Sequence, residues 1–430
     1  MATGTRLSAA FPAASRLNEH GVLEIGGCDV LELAREFGTP AYVAAEEDLE
    51  RQARAFLRAA RESAHPDVHV VFASKAFPCT AVLALFAREG LWCDAASGGE
   101  LHLALKAGFA PERIVLHGNA KSEAELRMAL RHRVGLVVLD NFDEIERLQA
   151  LVAEGLLGDR GAGQPVLVRV TPDVSGETHE KISTGQADSK FGFSMADAAE
   201  AISRAQAAQG LDLRGLHAHI GSQLLELDPF RRAARALAAL GDGFELLDMG
   251  GGLGVRYSSD QPEPPSVESY VSAVAEAVVQ ESARPPARLL IEPGRALTAN
   301  AVVTIYSVES VKQNVSRWVA VDGGMSDNLR PMLYGARYEA EVVGRFGGEM
   351  ECVLAGKHCE AGDVLVRGAM LDDPRPGDVI VTPATGAYGY AMANNYNGVP
   401  RPPVLFCRDG SARTVVRRET FEELAARDVL

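Results

Sequence analysis

An amine, a glycine-rich turn and a carboxylate stand where this chain could do chemistry. Lys75 closes the apolar run Val68-His69-Val70-Val71-Phe72-Ala73-Ser74. A lysine where a buried strand opens into a site can attack an aldehyde and hold it covalently. Three later runs also end in polar or glycine-rich stretches: His217-Ala218-His219-Ile220-Gly221-Ser222-Gln223, Asp248-Met249-Gly250-Gly251-Gly252-Leu253-Gly254 and Glu292-Pro293-Gly294-Arg295. The exposed N–H groups of a glycine turn can hold a phosphate. A triple glycine alone is more often a tight turn, and a lone lysine a solvated surface group. Their combination is the informative feature.

The elements that must position these residues follow from periodicity. Seven apolar runs follow the first: Leu91 to Ser97, Ile114 to Asn119, Gly135 to Asp140, Val166 to Val170, Leu216 to Gly221, Leu246 to Gly252 and Leu289 to Arg295. Between them Ala81 to Arg88, Glu100 to Ala107, Ser122 to Arg131, Phe142 to Glu154, Met195 to Gln209, Asp228 to Leu240 and Val267 to Ser282 repeat apolar residues at helical spacing. Eight strands alternating with helices predict a closed parallel (β/α)8 barrel, and Val68 to Arg295 is close to the roughly 250 residues usual for that fold. Barrel chemistry gathers at the carboxyl ends of the strands, with phosphate commonly held after the seventh and eighth.

After Arg295 helical periodicity nearly disappears until Thr420. Val302 to Val311, Trp318 to Asp322, Asp363 to Val366, Asp378 to Thr382 and Val404 to Cys407 read as strands of a second, mainly β domain. Ahead of the barrel come a strand at Val22 to Ile25, a helix at Val30 to Phe37, a strand at Ala41 to Ala44 and a helix from Asp48. The expected organisation is an extension over 1–20, a segment over 21–45 packing with the β domain, the barrel over 46–298 and the β domain over 299–430.

With 43 Lys+Arg against 58 Asp+Glu the formal charge is −15, which repels nucleic acid and anionic membrane. No apolar stretch is long enough to span a bilayer, and Met1 to Arg16 lacks the continuous apolar core of a secretory signal. Cys28, Cys79, Cys93, Cys352, Cys359 and Cys407 are scattered without a disulfide framework, so reduced thiols in the cytoplasm are expected. Cys352, His358 and Cys359 match no common zinc spacing, and no metal is expected.

A lysine across a barrel mouth from a phosphate loop points to pyridoxal 5′-phosphate, whose aldehyde condenses with an amine. The chain resembles the fold-type III pyridoxal-phosphate enzymes of the alanine racemase and ornithine decarboxylase group. Within it the chain is similar to the diaminopimelate decarboxylases. The resemblance rests on FASKAF around Lys75, HGNAKS from His117, STGQADSKFG from Ser183, HIGSQ from His219, GGG from Gly250, EPGR from Glu292, DGGMSDNLRPMLY from Asp322, CE at Cys359 and GAYGYAMANNYN from Gly386. It runs from about residue 22 to 425.

The resemblance implies that Lys75 carries the cofactor, that His219 stacks on its ring, and that Ser222, Gly250, Gly251, Gly252, Gly294 and Tyr388 bind its phosphate. Glu292 would face the pyridine nitrogen and keep it protonated, which strengthens the ring as an electron sink. Alanine racemases of this fold place an arginine there, so Glu292 implies decarboxylation. Cys359 matches the family's proton donor, offered across a homodimer interface, with Gly356, Glu360 and Asp363 completing the local pattern. His217 points to the same face as His219 and has no assigned role.

For substrate, Arg295, Arg330, Tyr334, Glu360 and Tyr388 are the implied set, with Arg295 able to assist the phosphate instead. An arginine can grip a second carboxylate through two hydrogen bonds, which a simple diamine tail could not exploit. The expected reaction is therefore decarboxylation of meso-2,6-diaminopimelate to L-lysine, the last step of lysine formation. HGNAKS departs from the family spelling, where a second asparagine is frequent, and the amino-terminal extension is longer. Both leave room for a relative acting on another amino acid, free or carrier-bound; a catalytically silent cofactor-binding homologue is the other alternative.

Overall fold

The computed structural model describes residues 7–157, 163–174 and 189–429. The chain divides into two compact units, Gln52–Gly254 with Pro264–Gly294, and Met1–Arg51 with Val255–Glu263 and Arg295–Leu430.

The first unit is a barrel. Its strands are β1 Val68–Ala73, β2 Trp92–Ala95, β3 Ile114–Leu116, β4 Leu136–Leu139, β5 Gln164–Thr171, β6 Leu211–His217, β7 Leu246–Asp248 and β8 Arg288–Ile291. Each pairs in parallel with the next, and β8 pairs with β1 to close the ring. Seven helices alternate with the strands, at Thr80–Glu89, Gly98–Lys106, Glu123–His132, Phe142–Ala153, Ala198–Ala207, Asp228–Ala238 and Val267–Glu281. Four of them start at side-chain caps: Ser97 and Ser266 accept from backbone N–H groups, Ser122 and Glu125 form a reciprocal capping box, and Asn141 accepts from the Glu144 N–H. Inward residues Val71, Val115, Val138, Leu167 and Leu290 fill the interior, so the barrel is a packed core.

Seven of the eight strands end earlier than the apolar runs that foretold them, while β5 extends past Val166 to Val170 at both ends. Leu246 to Gly252 contributes only Leu246–Asp248 to the ladder, because Gly250 and Gly252 adopt φ of 62° and 124° and leave it. Lys75 likewise sits beyond β1, in a single 3-10 turn over Ser74–Ala76. Chemistry-bearing residues thus stand on short turns above a rigid ring. One turn is anchored by Lys121, whose buried Nζ donates to Gly118 O, Val138 O and Glu144 Oε1 at 2.8, 2.6 and 2.7 Å.

The second unit is built on a sheet ordered Val364–Leu371, Met350–Ala355, Arg317–Val321, Val302–Gln313, Ala41–Ala45, Val404–Arg408, Ser411–Val416. The amino-terminal strand Ala41–Ala45 lies inside it, antiparallel to Val302–Gln313 and parallel to Val404–Arg408. Its apolar sequence Ala-Tyr-Val-Ala-Ala suits burial on both faces, with Ala41, Val43, Val303, Ile305 and Leu405 in one core. Met350–Ala355 and Ser411–Val416 extend the sheet beyond the strands expected from sequence. Among the described residues no helix is long and apolar enough to cross a membrane.

Candidate active site

The carboxyl ends of the barrel strands bring the expected residues Lys75, His219, Ser222, Gly250, Gly251, Gly252, Glu292 and Gly294 into one unit. Lys75 is exposed, and its Nζ lies 3.6 Å from Oδ2 of buried Asp94 at the end of β2. The ion pair gives the amine a direction while leaving its approach open.

The glycine turn after β7 is backbone only for steric reasons. A Cβ on Gly250 would stand 2.5 Å from Ala218 O, one on Gly251 2.1 Å from Glu292 O, and one on Gly252 2.6 Å from Gly221 O. The turn is therefore pressed between the loops after β6 and β8, beside Ser222. Gly294 is also close-packed, its Cβ position 3.0 Å from the Ala73 side chain. The Gly251 N–H donates to His219 Nδ1 at 3.1 Å, which leaves the proton of a neutral ring on Nε2. Enclosure and the Lys75 charge push the His219 imidazole well below its usual range. Gly251→Ala should therefore displace the Glu292 backbone, weaken cofactor retention and destabilise the fold by about 1–3 kcal/mol. Bound-cofactor absorbance and the melting temperature check this, and wild-type values for both would refute the packing account.

Glu292 is fully enclosed in the barrel. His117 Nε2 lies 2.6 Å from its Oε1, and His217 Nε2 lies 3.3 Å from its Oε2. Burial alone would raise this carboxyl, but the two histidines hold it well below the usual carboxylate range. Neighbouring Asp248 goes the other way, pushed well above that range by burial and by Glu292. His117, His217, Asp248 and Glu292 each place a polar atom within 4.8 Å of the others. Sequence reasoning missed His117 and left His217 without a role. Both lie in quoted segments, HGNAKS and HAHIGSQ, yet neither segment reveals that they meet on one carboxylate.

The second unit gathers Arg295, Arg330 and Tyr388. Arg330 is buried at the start of the short helix Arg330–Tyr334, which also carries half-buried Tyr334. Its Nη1 donates to the Tyr338 hydroxyl, and its guanidinium lies 4.4 Å from the centroid of the Tyr257 ring. Its Nε has no hydrogen-bond partner among the described residues. Arg295 donates to the Tyr257 hydroxyl and stacks 4.9 Å from the centroid of the Tyr388 ring. Tyr388 is held at φ 63°, a conformation that costs a non-glycine residue about 1–3 kcal/mol and marks a constrained site. Tyr257 and Tyr338 were not foreseen from sequence.

Cys359 is exposed on a pinned loop. Its N–H donates to Asn397 Oδ1 at 2.9 Å. The preceding His358 bonds Asp363 through both its backbone N–H and its Nδ1, at 2.9 and 2.8 Å. Any Cβ on Gly356 would fall 2.1 Å from that carboxylate. Half-buried Glu360 follows Cys359 on the same loop. Ser183 to Asp188 of STGQADSKFG lie outside the described residues.

The barrel's residues fit pyridoxal phosphate: an accessible amine, a turn where only glycine fits, and a buried carboxylate with two imidazole neighbours. The sequence profile of the family described as "Pyridoxal-dependent decarboxylase, pyridoxal binding domain" matches residues 46–299. The chain is 47% identical to a diaminopimelate decarboxylase of Actinosynnema pretiosum subsp. auranticum, covering 97% of this chain and 95% of that one. It is 44% identical to that of Bacillus subtilis, covering 96% and 97%. Among solved structures it is similar to the diaminopimelate decarboxylase of M. jannaschii in complex with L-lysine, with a TM-score of 0.89, 31% identity and coverage of 97% and 98%. The Helicobacter pylori enzyme, also complexed with L-lysine, gives 0.85, 30%, 93% and 98%.

Proposed function

The chain belongs to the diaminopimelate decarboxylases within the pyridoxal-dependent decarboxylase family, and we propose that it converts meso-2,6-diaminopimelate to L-lysine and carbon dioxide. In this reaction the bond from Cα to the departing carboxylate breaks and a proton takes its place. Because the product is L-lysine, the D centre reacts and the L centre is held at a distance. When bound, pyridoxal phosphate supplies an electron sink for the pair left on Cα.

The chain's own residues divide the remaining work. Lys75 would hold the cofactor through its amine. His219, fixed by the Gly251 N–H, presents its ring as a flat support. Ser222, Gly250, Gly251, Gly252, Gly294 and Tyr388 contribute to the phosphate site. Glu292, kept anionic, favours a protonated ring nitrogen. Arg330 grips the distal carboxylate, with Arg295 and Tyr334 beside it in the proposed set and Glu360 meeting the distal ammonium. The Cys359 thiol delivers the proton to Cα.

The observation that carries the substrate assignment is buried Arg330, an arginine fork held against the Tyr257 ring and the Tyr338 hydroxyl whose Nε has no hydrogen-bond partner among the described residues. A buried cation of this kind is costly unless an anion joins it. We further propose a homodimer in which Cys359 and Glu360 of one copy complete the barrel mouth of the other, which accords with the exposure of Cys359. Incubation with meso-diaminopimelate should release carbon dioxide and L-lysine in equal amounts. Turnover of a different amino acid with no lysine formed would sink the assignment. A purely monomeric active preparation in sedimentation velocity would remove the shared site.

A further inference from the structure

Two histidines with no assigned part in the reaction converge on Glu292. His117 follows β3 directly, and its backbone N–H donates to Ala95 O at 2.8 Å. His217 is the last residue of β6, in register with Asp248 on β7 and Arg169 on β5. The two rings meet edge to face with centroids 4.8 Å apart. One imidazole nitrogen faces each oxygen of the carboxylate, at 2.6 and 3.3 Å. Their side chains are 6% and 1% exposed, so both rings are enclosed with the carboxylate.

We infer that His117 and His217 are positioning residues for the cofactor's ring nitrogen, a two-sided clamp that keeps Glu292 ionised and fixes the direction of its carboxylate. This rests on the reading that Glu292 meets that nitrogen. A carboxylate buried this deeply costs several kcal/mol unless its oxygens are hydrogen-bonded. His217 Nε2 hydrogen-bonds Oε2, whereas His117 Nε2 approaches Oε1 at 2.6 Å without the angles of a hydrogen bond, so Oε1 keeps its lone pairs for a ring N–H. Burial pushes His217 down to about 3, so it acts as a neutral donor. The other charged groups around the clamp are Asp94, with Oδ1 3.9 Å from His117 Nε2, together with Asp248, Arg169 and Lys75. Asp248 beside Glu292 is pushed well above the usual carboxylate range by burial and by the Glu292 charge. Without the clamp, Glu292 would accept a proton itself and stop favouring a protonated ring.

The test loads the protein with pyridoxal phosphate labelled with 15N in the ring and reads the nitrogen chemical shift at neutral pH. The wild type should give the protonated-ring value. His117→Phe and His217→Phe should each shift it toward the unprotonated value, while His117→Asn, which keeps an N–H donor, should restore it. Glu292→Gln should give the unprotonated value. Wild-type shifts in both Phe variants, with the shift lost in Glu292→Gln, would reduce the histidines to packing. A protonated ring in Glu292→Gln would instead overturn the reading of Glu292 on which the clamp depends. Infrared difference spectra of cofactor-free wild type against Glu292→Gln need no Phe variant to fold. They should show an ionised carboxylate at neutral pH, and a protonated Glu292 band would overturn the clamp.

Discussion

Lys75→Ala should reduce diaminopimelate decarboxylation by at least about 10³-fold, the scale expected when a group serving in covalent attachment and proton transfer is removed. Borohydride treatment of the wild type should leave cofactor covalently attached to the peptide containing Lys75. In the variant no peptide should carry it. The side chain is 44% exposed and its ion pair with Asp94 is 3.6 Å long, so the change should alter stability by no more than about 0.5 kcal/mol. The glycine turn and Glu292 remain in the variant, so cofactor should still bind, only reversibly. Activity loss with the melting temperature unchanged would separate chemistry from folding. A persistent covalent adduct elsewhere in the variant would remove Lys75 from its role.

Arg330→Ala should act on substrate choice rather than on cofactor. Truncating one partner of a buried, hydrogen-bonded charge pair costs about 2–5 kcal/mol, so kcat/KM for meso-diaminopimelate should fall by a factor of about 30 or more. D-lysine offers the same reacting centre without a distal carboxylate. Its slow turnover should change little, and the preference for diaminopimelate over it should collapse. Arg330 also packs on Tyr257 and bonds Tyr338, so truncation opens a cavity as well as removing charge. Arg330→Lys separates the two effects: it fills the space and keeps the charge but loses the planar fork. An intermediate loss is expected for it, with bound-cofactor absorbance retained in both variants. An unchanged substrate preference would refute the assignment of Arg330 to the distal carboxylate.

Much of this chain is legible in one dimension because its barrel repeats one local rule. A buried parallel strand needs a continuous apolar run, and an amphipathic helix needs apolar residues at three- and four-residue steps. Both patterns recur from Val68 onward, so the alternation predicts a ring and the strand ends predict where chemistry sits. Lys75, the glycines from Gly250 and Glu292 could be singled out for the same reason: each lies where its own run stops. The second sheet was harder to read. Met350–Ala355 mixes buried Cys352 and Leu354 with exposed Glu351, and Arg330–Tyr334 is too short to show a period.

The sequence by itself determined which side chains reach the carboxyl ends of the barrel strands, since periodicity decides the face on which a residue lies. Only the tertiary structure decided what each one meets there. His217 and Glu292 are 75 positions apart, and His117 comes from a third strand. Their convergence depends on ring closure and strand register, which no local pattern encodes. The same holds for Tyr257 and Tyr338 on Arg330: a tyrosine's hydroxyl and ring face are visible in the sequence, but the guanidinium they hold is chosen by packing. Partners are selected by distances across the fold, which is why the neighbours of Glu292 and Arg330 could not be read from any local pattern.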